Sequence, residues 1–126
     1  MKIILAIGAG SMLGGVLRYL MVLWCGQKHT SDFPVGTLLV NLLGCLLIGV
    51  MFHLSEHWNL SPEWRMAITT GLLGGFTTFS AFSMETMAML RGGYTGAALL
   101  YLLMSVGGGL LATLAGFALT KWITAA

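Results

Sequence analysis

Four hydroxyls and three phenylalanines crowd one stretch of a hydrophobic segment: Gly74-Gly75-Phe76-Thr77-Thr78-Phe79-Ser80-Ala81-Phe82-Ser83. Glycine loosens a helix and β-branched threonine stiffens the chain beside it. Polar or irregular backbone is tolerated at membrane depth only where protein covers it or water lines it. Phe76, Phe79 and Phe82 recur every third residue and are expected to stack along one side of the helix. An aromatic ring has a positive edge, so ring edges on a narrow path can contact a small anion without offering it a full charge. Each feature also has a plain reading. Helical Ser and Thr usually bond the carbonyl four residues back, and phenylalanines face lipid or core by default. Thr77, Thr78, Ser80 and Ser83, following a glycine pair, exceed what back-bonding needs. The stretch reads as the wall of a pathway.

Three further groups lie in apolar surroundings. Arg18 sits inside the first hydrophobic segment, where a cation is a functional hypothesis by default. It either attracts anions at a vestibule or snorkels toward the interface near Trp24, about 9 Å away at a rise of 1.5 Å per residue. Asn41 offers two amide donors to an anion, or serves as a bond to a neighbouring helix. Glu85 is a proton or cation site, a partner for a cation such as Arg18, or a group at the pore mouth. His53-Leu54-Ser55-Glu56-His57 spells an inverted zinc-protease signature, but it ends a hydrophobic segment with no third ligand in sight. No phosphate loop, nucleophile elbow or dinucleotide fingerprint appears, and an enzyme is not expected. Cys25 and Cys45, without CxxC spacing, read as small apolar filler.

The elements that must position these groups follow from composition. The 126 residues are 57% hydrophobic and 8% charged, with mean hydropathy +0.90. Soluble domains carry roughly 25% charged residues, so this chain is expected to be an all-α integral membrane protein. A formal charge of +2 gives no reason to expect nucleic acid as a partner. Four segments are long enough to span a core of about 30 Å as helices: about 3–24, 35–54, 66–90 and 97–123. Pro34 and Pro62 each precede a span, as suits a helix start, and Asn59-Leu60-Ser61-Pro62-Glu63 reads as a cap with an acidic first turn. The first segment is too long for a signal peptide, carries Arg18 and lacks a cleavage site, so it is expected to be retained. Gly10/Gly14, Gly71/Gly75 and Gly108/Ala112/Gly116 have the four-residue spacing that lets membrane helices approach closely. One compact domain, residues 1–126, is expected.

With four spans, both termini and the second loop share a side that holds Lys2, Arg65 and Lys121. The other side holds Lys28 and Arg91, with Arg18 if it snorkels there. Orientation needs a Lys/Arg bias across the membrane, and this chain has almost none. Dual topology is therefore expected, with an antiparallel homodimer as its consequence. Four helices also enclose little room for a water-filled path, which favours an oligomer independently.

With these residues in hand, the chain resembles the bacterial fluoride channel family, Fluc or CrcB. The resemblance covers essentially the whole chain through Leu17-Arg18-Tyr19, Gly36-Thr37-Leu38-Leu39-Val40-Asn41-Leu42, the run from Thr69 to Glu85, and Thr113-Leu114-Ala115-Gly116-Phe117. It implies a third helix broken near its middle, in a dual-topology homodimer with two antiparallel pores. It implies passive, selective export of fluoride from the cytoplasm to relieve fluoride toxicity, across a bacterial inner membrane, with membrane lipid as a further partner. By the same resemblance Phe79 and Phe82 match pore phenylalanines, Asn41 a pore asparagine and Arg18 a vestibule arginine. Ser80, Ser83 and Thr113 match part of a hydroxyl track, Glu85 a glutamate near the pore end, and Tyr101 a fourth-helix tyrosine. A structural sodium ion is implied at the dimer centre, on backbone carbonyls that correspond to Gly74 and Thr77. Two positions depart from the pattern: Ala81 stands where the family usually has threonine, and Gly109 where it has serine. Both remove hydroxyls from the polar side.

The rival reading is a small multidrug-resistance-type exporter, also a four-span dual-topology dimer, which couples protons to drug export through a membrane carboxylate. That class carries a glutamate in its first span, where this chain carries Arg18. A non-transporting membrane protein built on glycine packing is the other alternative, and it leaves the clustered hydroxyls without a role.

Overall fold

A computed structural model describes residues 1–28 and 33–125, with the side chains of Gln27 and Lys28 excluded. Part of the expected first connection, residues 29–32, lies outside the described residues, as do the Lys28 side chain counted in the charge balance and Ala126. The described chain is all helical: α1 (Lys2–Lys28), α2 (Val35–His57), α3 (Pro62–Met66), a π-helical segment (Ala67–Leu73), α4 (Gly74–Phe76), α5 (Phe79–Arg91) and α6 (Thr95–Ala125). Lys2–Gly26, Val35–His57 and Thr95–Ala125 are each long and apolar enough to cross a membrane. The outward faces of α1 and α6 are apolar, with Leu20, Leu110, Leu111 and Leu114 exposed. Such surfaces suit a lipid solvent and not water.

The segment expected at 66–90 is built in pieces, the longest of them α5 with 13 residues. Pro62 opens α3 with Glu63 in its first turn, although the Ser61 hydroxyl makes no cap bond. The π-helical turn follows, then α4 ends at Phe76. Thr77 (φ −82°, ψ 159°) and Thr78 (φ −150°, ψ 117°) are extended before α5 begins. The Thr78 hydroxyl caps α5 by accepting from the Ala81 amide at 3.2 Å. At the far end Gly93, at φ +83°, takes the left-handed position that closes α5. The Tyr94 and Gly93 amides bond the Met89 and Leu90 carbonyls, the pairing of a Schellman stop.

Backbone-level packing holds these pieces together. A Cβ on Gly14 would overlap the Leu72 carbonyl and approach the Phe76 amide, and one on Gly75 would meet Ser11. So α1 lies directly against the π segment and α4. Likewise a Cβ on Gly49 would strike the Thr113 carbonyl, and one on Gly116 the Leu46 carbonyl, so α2 and α6 touch backbone to backbone. The small residues expected at 10/14, 71/75 and 116 thus sit at helix contacts, as close membrane packing requires.

Candidate functional site

Asn41 joins α2 to the interruption between α4 and α5. Its Oδ1 accepts from the Thr78 amide at 2.8 Å, and its Nδ2 donates to the Thr78 carbonyl at 3.0 Å. The side chain thus pairs with one peptide unit's donor and the next unit's acceptor, as a neighbouring strand would. One of its two amide hydrogens remains beyond this pair. In a continuous helix the Thr78 amide would bond the Gly74 carbonyl, and the Ala81 amide the Thr77 carbonyl. Both donors are diverted, one to Asn41 and the other to the Thr78 hydroxyl. Gly74 and Thr77 are therefore carbonyls without their helical donors. Oxygens of this kind are suitable ligands for a hard cation, and Gly74 is exposed on the surface of the chain. A methyl of Thr77 lies where a Cβ on Gly44 would be, so α2 also seats this turn sterically.

A cavity of about 430 Å³ opens beside the interruption, between α2, the π segment and α6. Asn41, Gly74, Thr77, Thr78, Phe79, Phe82 and Ser105 line it, together with Cys45, Gly109 and aliphatic groups. No Lys, Arg, Asp or Glu is among its lining residues. The Ser105 hydroxyl is buried there, beside the Tyr101 hydroxyl. A hydroxyl has one donor and two acceptor sites, so capacity remains for a ligand or water. Phe79 is 77% exposed and Phe82 only 7%, with ring centroids 5.5 Å apart. The two rings pack against each other, one at the surface of the chain and one buried.

The expected row of three phenylalanines does not form. Phe76 ends α4, ahead of the extended residues, and turns instead into an apolar pocket with Leu17, Leu20, Trp24, Leu43 and Leu47. Regular three-residue spacing carries over only along an unbroken helix. The extended Thr77–Thr78 pair redirects the chain between Phe76 and Phe79.

Of the other sequence-derived residues, Arg18 neither snorkels freely nor meets Glu85. Its Nε donates to the Gly75 carbonyl at 3.3 Å. Glu85 accepts from the Thr37 hydroxyl and the Tyr101 hydroxyl, each at 2.7 Å and each on a different carboxyl oxygen. Tyr101 is fully buried, with Phe82 5.2 Å away and Phe33 edge-on at 5.5 Å. This polar cluster therefore adjoins the cavity through Phe82. Thr77, Ser83 and Thr113 do bond carbonyls four residues back, whereas Thr78 caps a helix and pairs with Ser80 at 3.3 Å. Ser80 and Ser83 lie exposed on α5, outside the cavity, and Thr113 is likewise not in its wall. His53 Nε2 lies 2.8 Å from the Thr124 hydroxyl and its ring stacks on His57 at 6.0 Å. No group of three or more His, Cys, Asp or Glu gathers among the described residues.

Thr37 and Ser105 were not singled out from sequence. A signal existed in their spacing. Thr37, Asn41 and Cys45 recur every fourth residue on α2, as do Tyr101, Ser105, Gly109 and Thr113 on α6. Each series is a polar or small stripe on one helix face.

Comparison with known proteins agrees along nearly the whole chain. The family model described as CrcB-like protein, Camphor Resistance (CrcB), matches residues 5–117. A protein of Rhizobium meliloti named fluoride-specific ion channel FluC is 48% identical over 122 residues, covering 96% of this chain and 98% of the relative. Relatives of the same name from Chloroflexus aurantiacus and Pseudomonas putida are each 45% identical. They cover 97% and 95% of this chain respectively, and 98% of their own lengths. Together with its apolar spanning helices, this similarity establishes that the chain is a multi-pass membrane protein and belongs to the CrcB-like family.

Proposed function

We propose that this protein is a passive fluoride-selective ion channel. The observation that carries the proposal is the uncharged cavity at the helix interruption, where Asn41, Phe79, Phe82 and the buried Ser105 hydroxyl converge. Fluoride is small and strongly hydrated. A pore must replace its water with donors and positive ring edges, and must exclude chloride by width. Several weak contacts suit conduction, because a site must admit an ion and also release it. Phe79, Phe82 and Asn41 supply such contacts in the wall, and the hydroxyls of Ser80, Ser83 and Thr113 extend the route beyond it. Arg18 and Glu85 flank the route without lining the cavity. The membrane potential drives the anion outward, at about 2.3 kcal/mol per charge per 100 mV.

The working unit in this reading is an antiparallel, dual-topology homodimer of single four-span domains in a bacterial inner membrane, with two pores. The third span is the pair of helical pieces on either side of Thr77 and Thr78. Balanced Lys and Arg support the inverted insertion. Exposure of Phe79, Ser80, Ser83 and Gly74 on one protomer supports a second copy covering that face. The carbonyls of Gly74 and Thr77, stripped of their helical donors, fit a sodium ion at the dimer centre. When bound, such an ion satisfies those oxygens and favours a nearby anion.

Reconstituted liposomes loaded with fluoride or chloride test the proposal. Fluoride release without chloride release is expected. Equal release of both ions, or release of neither, overturns it. Proton-coupled transport of a cationic drug would instead favour the multidrug exporter. That reading needs a membrane carboxylate at the transport site, whereas Glu85 lies outside the cavity and is bonded by two hydroxyls.

A further inference from the structure

The break leaves a run of carbonyls without helical donors, and they are not treated alike. Gly74 and Thr77 lose their donors to Asn41 and Thr78, whereas Gly75, between them, accepts from Arg18 Nε across a sequence separation of 57 residues. Close approach of α1 makes this reach possible. Gly14, one turn before Arg18, lies against Leu72 and Phe76, and Ser11 lies against Gly75. We propose that Arg18 is a positioning residue for the cation site. Its Nε–H holds the end of α4, so that the Gly74 and Thr77 carbonyls stay aligned and the Gly75 carbonyl is withdrawn from the ligand set. This rests on the reading that those two carbonyls hold sodium. Planar peptide units transmit the constraint, because a fixed Gly75 carbonyl limits rotation of the peptide planes on either side of it. The guanidinium charge acts in the opposite sense, since it repels a nearby cation. The useful part of Arg18 toward the cation is therefore the position of its donor and not its charge.

Substitution can separate the two. Counted from Cα, the fourth side-chain atom of arginine is the Nε that bonds Gly75. Glutamine places an amide nitrogen at that same atom and carries no charge. Methionine places a methyl there, and lysine places a methylene while keeping the charge. The experiment follows thermal unfolding of the full-length dimer against sodium concentration, with N-methylglucamine as the balancing cation, and fluoride efflux beside it. For Arg18→Gln the half-saturating sodium concentration is expected at or below the wild-type value. For Arg18→Met, equally uncharged but without the donor, it is expected about threefold to tenfold above that of Arg18→Gln, the range of one hydrogen bond. The inference is overturned if the midpoint follows charge, with Arg18→Lys at the wild-type value and Arg18→Gln raised. An Arg18→Met midpoint equal to that of Arg18→Gln overturns it equally. Should Arg18→Met fail to assemble, Arg18→Lys against wild type decides, since both carry the charge: a raised midpoint supports the donor role and an unchanged one refutes it. A wild-type dimer that sodium does not stabilise is a different failure, visible without any substitution. It removes the cation site itself.

Discussion

Replacing Asn41 by alanine tests whether that side chain holds the interruption in α4 and α5 or only faces the path. Two hydrogen bonds, at 2.8 and 3.0 Å to the Thr78 backbone, disappear together. Side-chain bonds inside membrane proteins average about 0.6 kcal/mol each, so the bonds alone account for about 1 kcal/mol. The Thr78 carbonyl, at the N-cap of α5, keeps the first bond of that helix, but the Thr78 amide lies in extended backbone with no second acceptor in place. Leaving that amide unsatisfied adds about 1–3 kcal/mol. The expected loss is about 2–4 kcal/mol, or a roughly thirtyfold or greater rise in the unfolding constant. Unfolding in mixed micelles of rising dodecyl sulfate content, followed by tryptophan fluorescence, measures it. Asn41→Asp is informative beside it. It keeps an acceptor for the Thr78 amide but sets a second oxygen against the Thr78 carbonyl, so it too is destabilised. If Asn41→Ala unfolds within about 0.5 kcal/mol of wild type, the paired bonds do not hold the turn and the reasoning fails.

Four further substitutions separate the path from the scaffold. Phe79→Ile and Phe82→Ile are expected to slow fluoride efflux from liposomes about fivefold to tenfold, as loss of roughly 1 kcal/mol of ring-edge contact implies. Dimer assembly on size exclusion should be unchanged, and normal efflux in both variants would show that the aromatic route is wrong. In the scaffold, Gly116→Ala drives a methyl into the Leu46 carbonyl and should cost about 1–3 kcal/mol in the same micelle titration. Gly8→Ala has open space around it and should be neutral or stabilising by up to about 1 kcal/mol.

Elements governed by local composition were legible in the sequence. Hydropathy places three long helices within a few residues of their ends, because lipid demands a continuous apolar run whatever the neighbours are. Four-residue glycine spacing marked the contact of α1 with the π segment and α4 for a similar reason: backbone approach depends on the absence of a side chain. Relations that need two elements at once were not legible. Arg18 bonds a backbone carbonyl, and a carbonyl leaves no mark in the amino-acid letters. Ser105 looks like any helical serine until the fold buries its hydroxyl in the cavity wall. Phe76 was grouped with Phe79 and Phe82 because three-residue spacing assumes an unbroken helix. The two residues between Phe76 and Phe79 remove that assumption.

The pairing of Asn41 with Thr78 also bears on the order in which the protein is made. A stretch of unpaired peptide groups cannot rest in hydrocarbon by itself. Its two tethers, Arg18 and Asn41, both precede it in the chain and leave the ribosome first. Chains are completed from the amino terminus at about 5–20 residues per second, so α1 and α2 are already synthesised when Thr77 and Thr78 emerge. The interruption is thus born next to its own supports. A circular permutant that begins after α2 and supplies it last would have to carry the exposed turn through insertion unaided.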